Sequence, residues 1–215
     1  MYLEHQVHLK HDFVLATTNQ AKHDELAFIA QKLSIKIGAL PAIVDVKAIQ
    51  ENGMTYEENA SIKATYYSRL LPSLLIVAED SGLEVDALGG LPGIWSARYS
   101  DCSTPVSFHD RVRANANKLL TSLEGIPMER RTAKFVCVLS VARKGCVLHD
   151  FRGTVNGRIL VERRGNSVFG YDPLFLVEDL GRTFAELSME DKARYGHRGK
   201  AFHALASWST TEQIA

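Results

Sequence analysis

The stretch L-L-I-V-A-E-D-S-G-L, Leu74 to Leu83, decides how this chain folds. Five consecutive apolar residues, Leu74 to Ala78, follow Pro72 and run into two acids and a glycine. A short apolar run bounded in this way reads as a strand buried on both faces, the kind found in parallel α/β sheets. The expected stop matters most, because it puts the carboxylates of Glu79 and Asp80 at the carboxyl end of a buried strand, where open α/β sheets form ligand crevices. Paired acids there suit a Mg²⁺ ion or a general base. Alternatively, they are a polar strand exit with Ser81-Gly82 as the turn.

Upstream, Phe13 to Ala16 forms a short apolar strand, followed by T-T-N-Q-A-K and a helix with Leu26, Ile29, Ala30 and Leu33 at i, i+3, i+4 and i+7. Thr17, Thr18 and Asn19 can cap that helix, whose free N–H groups and dipole make an anion site. Lys22 stands in the first turn, where the dipole disfavours a cation, and a bound phosphate would account for it as well as a solvated surface position would. Ile35 to Leu40 reads as a second strand, and Pro41 to Gly53 as a loop with room for another short one. Thr55 and Glu58 then form a T-x-x-E capping box for a helix that buries Ala60, Ala64, Tyr67 and Leu71. Lys63 lies on that same face, where it either snorkels to solvent or meets an anion in a cleft, with Glu51 in the preceding loop close to the same crevice.

Downstream, Leu83, Val85 and Ala87 alternate with Glu84 and Asp86 as in a half-exposed strand, and glycines follow at turns. Thr104-Pro105 is the expected start of a helix lined by Val112, Ala116, Leu119, Leu120 and Leu123. Lys134 to Ala142 and Cys146 to Asp150 read as a hairpin around Lys144-Gly145, with Arg152 to Val161 continuing the sheet. F-G-Y-D-P, Phe169 to Pro173, sets aromatics, a glycine and an acid in a turn suited to stacking a planar ring. Ser188 to Asp191 begins a helix that Gly196-His197-Arg198-Gly199 interrupts before a final helix carrying Ala201, Ala204, Leu205 and Trp208.

Composition limits the function. Twenty-five basic residues balance 25 acidic ones with no basic run, so the electrostatic footprint of a nucleic-acid-binding protein is missing. No apolar run approaches the roughly 20 residues of a membrane span, and the N-terminus has no signal-peptide core, so a cytoplasmic location is expected. Residues 1–12 read as a poorly ordered leader and 13–215 as a single domain. Cys102, Cys137 and Cys146 have no C-x-x-C spacing and read as ordinary thiols.

Taken together, the motifs resemble the inosine triphosphate pyrophosphatases, the Ham-type or dITP/XTP pyrophosphatases, from about Phe13 to Trp208. The matching blocks are T-x-N-x-x-K (Thr17, Asn19, Lys22) with Glu25, G-x-T-x-x-E-N-A-x-x-K-A from Gly53, E-D-S-G-L-x-V-D-A-L-G-G-x-P-G-I from Glu79, S-A-R-Y-S ending at Ser100, F-G-Y-D-P-x-F from Phe169, A-E-L from Ala185, Lys192, and H-R-G from His197. Thr18 replaces the customary glycine of the phosphate loop, and Glu79 the first aspartate of the common D-D-S-G. The resemblance implies an α/β fold, a mixed central β-sheet flanked by helices, with two lobes and the active cleft between them. It implies hydrolysis of ITP, dITP and XTP to the monophosphate and pyrophosphate by a homodimer. Asp80 is then the proton acceptor and, with Glu51, a Mg²⁺ ligand. Thr17, Thr18, Asn19, Gln20, Ala21, Lys22, Lys63, Ser81 and Lys192 bind substrate, Lys22, Lys63 and Lys192 answering the phosphate charge. Phe169, Gly170, Tyr171, Asp172, His197 and Arg198 serve the base, Phe169 by stacking and Asp172, His197 and Arg198 by reading its edge. Rival readings are a Maf-like pyrophosphatase for modified nucleotides and a non-catalytic nucleotide-binding module; the F-G-Y-D-P and H-R-G blocks count against the first and Asp80, Glu51 and the lysines against the second.

Overall fold

A computed structural model describes residues 13–17, 19–41, 49–100, 107–166 and 169–211. The expected leader, Thr18, most of the loop before Glu51, Cys102 and the Thr104-Pro105 helix start lie outside the described residues. The strands are β1 (Phe13–Leu15), β2 (Ile37–Ala39), β3 (Leu75–Val85), β4 (Pro92–Gly93), β5 (Thr132–Arg143), β6 (Cys146–Ile159), β7 (Phe175–Val177) and β8 (Arg182–Thr183). The helices are α1 (Gln20–Lys32), α2 (Tyr56–Leu70), α3 (Phe108–Ser122), α4 (Met189–Tyr195) and α5 (His197–Thr211). One mixed sheet runs β2-β1-β3-β5-β6-β7-β8, with β4 paired to β3. β1 is parallel to β2 and β3, and the remaining pairs are antiparallel.

The decisive strand does not stop where the apolar run stops. β3 continues through both acids to Val85 because β5 lies antiparallel beside it, and the ladder pairs Glu79 with Leu139, Asp80 with Val138 and Val85 with Ala133. Backbone pairing therefore overrides the boundary suggested by side-chain polarity. The crevice survives in a different form: the parallel pairing of β1 with β3 ends at Leu15 and Val77, so the acids lie just past the end of β1.

Strand alternation then sends the two acids to opposite faces of the sheet. On the face of Val77 and Leu139, α1 and α5 cover one end with Leu26, Ile29, Phe202 and Leu205. Further along that face, Leu83, Val85 and Phe135 pack with Leu119 of α3 and with Phe175 and Phe184. Glu79 and Ser81 form the polar row between these two cores. On the opposite face, α2 packs Ala64 and Tyr67 on Ile76 and Ala78, and Tyr56 and Ala60 on Val136 and Val138.

Three local expectations change. β6 is one strand, not two, because its register with β5 carries on through Asp150 and Phe151. Thr55 caps α2 as expected, its Oγ1 accepting from Glu58 N at 3.1 Å, but the Glu58 carboxylate accepts from the N–H of Met54, one residue before the cap. The helical break falls at Gly196, and His197-Arg198-Gly199 form the first turn of α5. That turn sits close against its surroundings: a Cβ on Gly199 would strike the backbone of Ala193, and one on Gly153 of β6 would strike the backbone of His197 and Ala201. These glycines serve close approach, not flexibility.

Candidate active site

On the α2 face, Lys63 reaches toward the end of β1 and places Nζ 3.1 Å from Glu51 Oε1 and 3.9 Å from Asp80 Oδ1. Asp80 is buried, and its Oδ2 has no hydrogen-bond partner. Burial raises the Asp80 carboxyl to about 6, against the opposing pull of Lys63 and Lys22 and with help from Glu79 and Glu51. The two carboxylates offer hard oxygen donors and one unpartnered buried oxygen. This suits a small divalent cation that takes its other ligands from water and phosphate. Among the described residues no group of three His, Cys, Asp or Glu side chains could hold a metal by itself.

On the other face, Glu79 accepts from Lys22 Nζ at 2.7 Å through Oε2 and from Arg198 Nε at 3.1 Å through Oε1. Arg198 also donates to Glu25 Oε2 at 3.1 Å and to Ser81 Oγ at 3.0 Å. Burial alone would raise the Glu79 carboxyl, but Lys22 and Arg198 outweigh it and hold the group well below the usual range. Burial likewise works against the charge on Lys22, and Glu79 reverses the balance and raises its pKa. The sequence paired Glu79 with Asp80 as acids suited to Mg²⁺ or a general base; in the fold the Glu79 carboxylate is taken up by this ion-pair network.

The residues expected to serve the base lie toward the same face. The Arg198 guanidinium carbon lies 5.7 Å from the centroid of Phe169. Asp172 is buried and accepts from Lys192 Nζ at 2.6 Å, so Lys192 is paired with Asp172 while Lys22 and Lys63 are paired with Glu79 and Glu51. Burial raises the Asp172 carboxyl despite that partner. His197 stacks on Phe135, ring centroids 5.0 Å apart and planes at 18°. Burial, then Arg198, push its pKa well below the ordinary value, so the ring is neutral at pH 7, and Nδ1 has no hydrogen-bond partner.

Asn19 does cap α1, its Oδ1 accepting from Lys22 N at 3.2 Å, while Thr17 Oγ1 accepts from Asn19 N at 3.2 Å. Gln20 turns outward and donates to Asp24 at 2.7 Å, and Ala21 is exposed. Tyr171 is buried, and its hydroxyl donates to the Ser96 carbonyl at 2.9 Å, tying the turn to the 96–98 segment. Gly170 takes the left-handed conformation, φ 55°, that bends the turn. Glu25, the second carboxylate on Arg198, was absent from the expected site. An acid on the buried stripe of α1, beside Leu26 and Ile29, was its signal.

The chain is similar to known proteins of one family. The model of the Ham1 family matches residues 13–208. A dITP/XTP pyrophosphatase of Desulfotalea psychrophila is 45% identical over 189 residues, 87% of this chain and 80% of the relative. One of Geobacter sulfurreducens is 42% identical over 194 residues, 89% of this chain and 93% of the relative. The solved Ham1 protein of Staphylococcus aureus superposes with a TM-score of 0.79 at 35% identity, over 94% of this chain and 99% of that one. A HAM1 protein from Coxiella burnetii gives 0.78 at 33%, over 93% and 98%.

Proposed function

The chain belongs to the Ham1 family, and from that premise we propose that it hydrolyses the non-standard purine nucleoside triphosphates ITP, dITP and XTP to the monophosphate and pyrophosphate. The observation that carries the reading is the buried Asp80, with one oxygen toward Lys63 and the other unpartnered in the crevice. Such an oxygen can accept a proton from a water molecule attacking the α-phosphorus. The new bond forms from that water to phosphorus, the bond to the bridging oxygen breaks, and pyrophosphate leaves with the electron pair.

The other residues bind and orient. Lys63 and Lys22, with the N-terminus of α1, meet the phosphates. Phe169 stacks the base, and His197, Arg198 and the Asp172–Lys192 pair face its edge. A divalent cation, Mg²⁺ in our reading, would be held by Glu51 and Asp80, and when bound it neutralises phosphate charge. A homodimer in the cytoplasm completes the proposal; among the described residues no helix is long and apolar enough to cross a membrane.

The test is phosphate release with added inorganic pyrophosphatase, on ITP, XTP, dUTP, GTP and ATP with Mg²⁺. Turnover of ITP and XTP, with monophosphate as product and phosphate seen only when the second enzyme is present, is expected. Direct release of one phosphate, leaving a nucleoside diphosphate, would assign the site to a different hydrolysis.

A further inference from the structure

We propose that Glu79 is a positioning residue that ties the phosphate grip of the site to its base grip, an inference that rests on the nucleotide substrate proposed above. Its side chain is 1% exposed, and its two oxygens are divided between two cations from different helices. Oε2 holds Lys22 of α1 at 2.7 Å, and Oε1 holds Arg198 of α5 at 3.1 Å. Glu25 contacts Arg198 through its carboxylate, but among the described residues only Glu79 is hydrogen-bonded to both cations.

Neither cation is exhausted by these contacts. An ammonium has three N–H donors and a guanidinium five. Lys22 gives one to Glu79, and Arg198 gives one each to Glu79, Glu25 and Ser81. Lys22 is 23% exposed at the side chain, open to the crevice, while Arg198 lies against Phe169. A carboxylate this deeply buried is costly to leave unpaired, so neither cation drifts from it cheaply. Glu79 thereby fixes where the remaining donors of both residues point, and it does so without touching the nucleotide.

The experiment compares wild type with Glu79→Gln, which keeps the shape and removes the charge. Calorimetry measures the binding of inorganic tripolyphosphate, a probe of the Lys22 side, and of inosine, a probe of the Arg198 side; ITP turnover is followed in parallel. Glu79→Gln should weaken both probes about tenfold or more, as expected for loss of a hydrogen bond to a charged group. KM for ITP should rise by at least that factor while kcat falls less, and the Mg²⁺ concentration for half-maximal rate should stay unchanged. Weakening of one probe alone, unaltered binding of both, or a changed Mg²⁺ requirement with both probes unaltered would overturn the proposal. If Glu79→Gln does not fold, Glu79→Asp, one methylene too short to keep both distances, must weaken both probes; unaltered binding in that variant overturns it equally. Wild-type protein that binds both probes in this pattern but does not hydrolyse ITP would defeat the proposed function and leave the role of Glu79 standing.

Discussion

Glu79 and Asp80 are consecutive in the chain, yet Glu79 bonds Lys22 and Arg198 on one face of the sheet while Asp80 meets Lys63 on the other. Their surroundings push the two carboxyls apart: paired cations hold Glu79 well down, and burial raises Asp80 to about 6. Divergent environments for neighbouring acids mark a division of roles. Glu79 is a fixed charge, and Asp80 is the group able to take up and release a proton.

Asp80→Asn should therefore cost activity and add stability. Loss of a general base lowers kcat by on the order of 10² or more. The folded Asp80 pKa of about 6 lies above the ordinary 3.8, so the wild type is progressively destabilised as pH rises from about 4 to about 6, where the folded state must release a proton it prefers to keep. Metal-free Asp80→Asn should match wild type at pH 4 and exceed it at pH 7 by no more than about 3 kcal/mol. Urea unfolding at both pH values checks the sign, and a variant less stable than wild type at pH 7 would contradict the burial argument.

The rate should carry the same signature. With Asp80 as the base, kcat/KM falls as pH drops below about 6. A cation on the carboxylate favours its ionised form, so the acid limb should move to lower pH as Mg²⁺ is raised. Profiles at limiting and saturating Mg²⁺ measure this, and a limb that stays fixed would separate the titrating group from the metal.

Lys63→Met keeps the apolar stem and removes the ammonium that lies between Glu51 and Asp80. A surface lysine would show a small stability change and unaltered kinetics. A phosphate ligand shows a loss of kcat/KM on the order of 10² with the fold intact, which steady-state kinetics and circular dichroism together decide.

Arg198 needs a gentler substitution than alanine. Arg198→Ala would strand Glu25 in the interior and leave Glu79 with Lys22 alone, at a cost of about 3–5 kcal/mol that confuses folding with recognition. Arg198→Lys retains the charge and loses the fork. A 6-keto base accepts where a 6-amino base donates, and a donor edge left unmatched can discriminate by 10⁴ to 10⁵. Arg198→Lys should reduce kcat/KM for ITP at least tenfold more than for ATP; an unchanged ratio would move base reading to His197 or Lys192.

Gly153→Ala tests how α5 is placed. The added methyl would meet the backbone of His197 and Ala201 and must push the helix away from β6. Activity should fall more than tenfold through displacement of His197 and Arg198, whereas Gly89→Ala, where no atom lies near the added carbon but φ is +63°, should cost about 1 kcal/mol of stability and leave kinetics alone.

Much of the site was legible because its residues stand in short motifs whose polarity clashes with their surroundings: a lysine in the first turn of α1, another on the buried stripe of α2, two acids after an apolar run. What escaped reading depends on long-range pairing. The continuation of β3 past Ala78 is dictated by β5, more than 50 residues on, and the face each acid takes follows only once that strand is unbroken. The Lys192–Asp172 ion pair escaped too, because each charge is visible in sequence and their proximity is not.

The pairing of each cation with a carboxylate also bears on how substrate arrives. By formal charge Lys22, Lys63, Lys192 and Arg198 are set against Glu25, Glu51, Glu79, Asp80 and Asp172, and the chain as a whole carries a net charge of +0. Seen from beyond a Debye length of roughly 8–10 Å, such a crevice exerts little pull on a triphosphate. Encounter therefore gains little from electrostatic steering. Capture begins only at contact, when phosphate oxygens take up the donors that Lys22 and Lys63 do not give to Glu79 and Glu51.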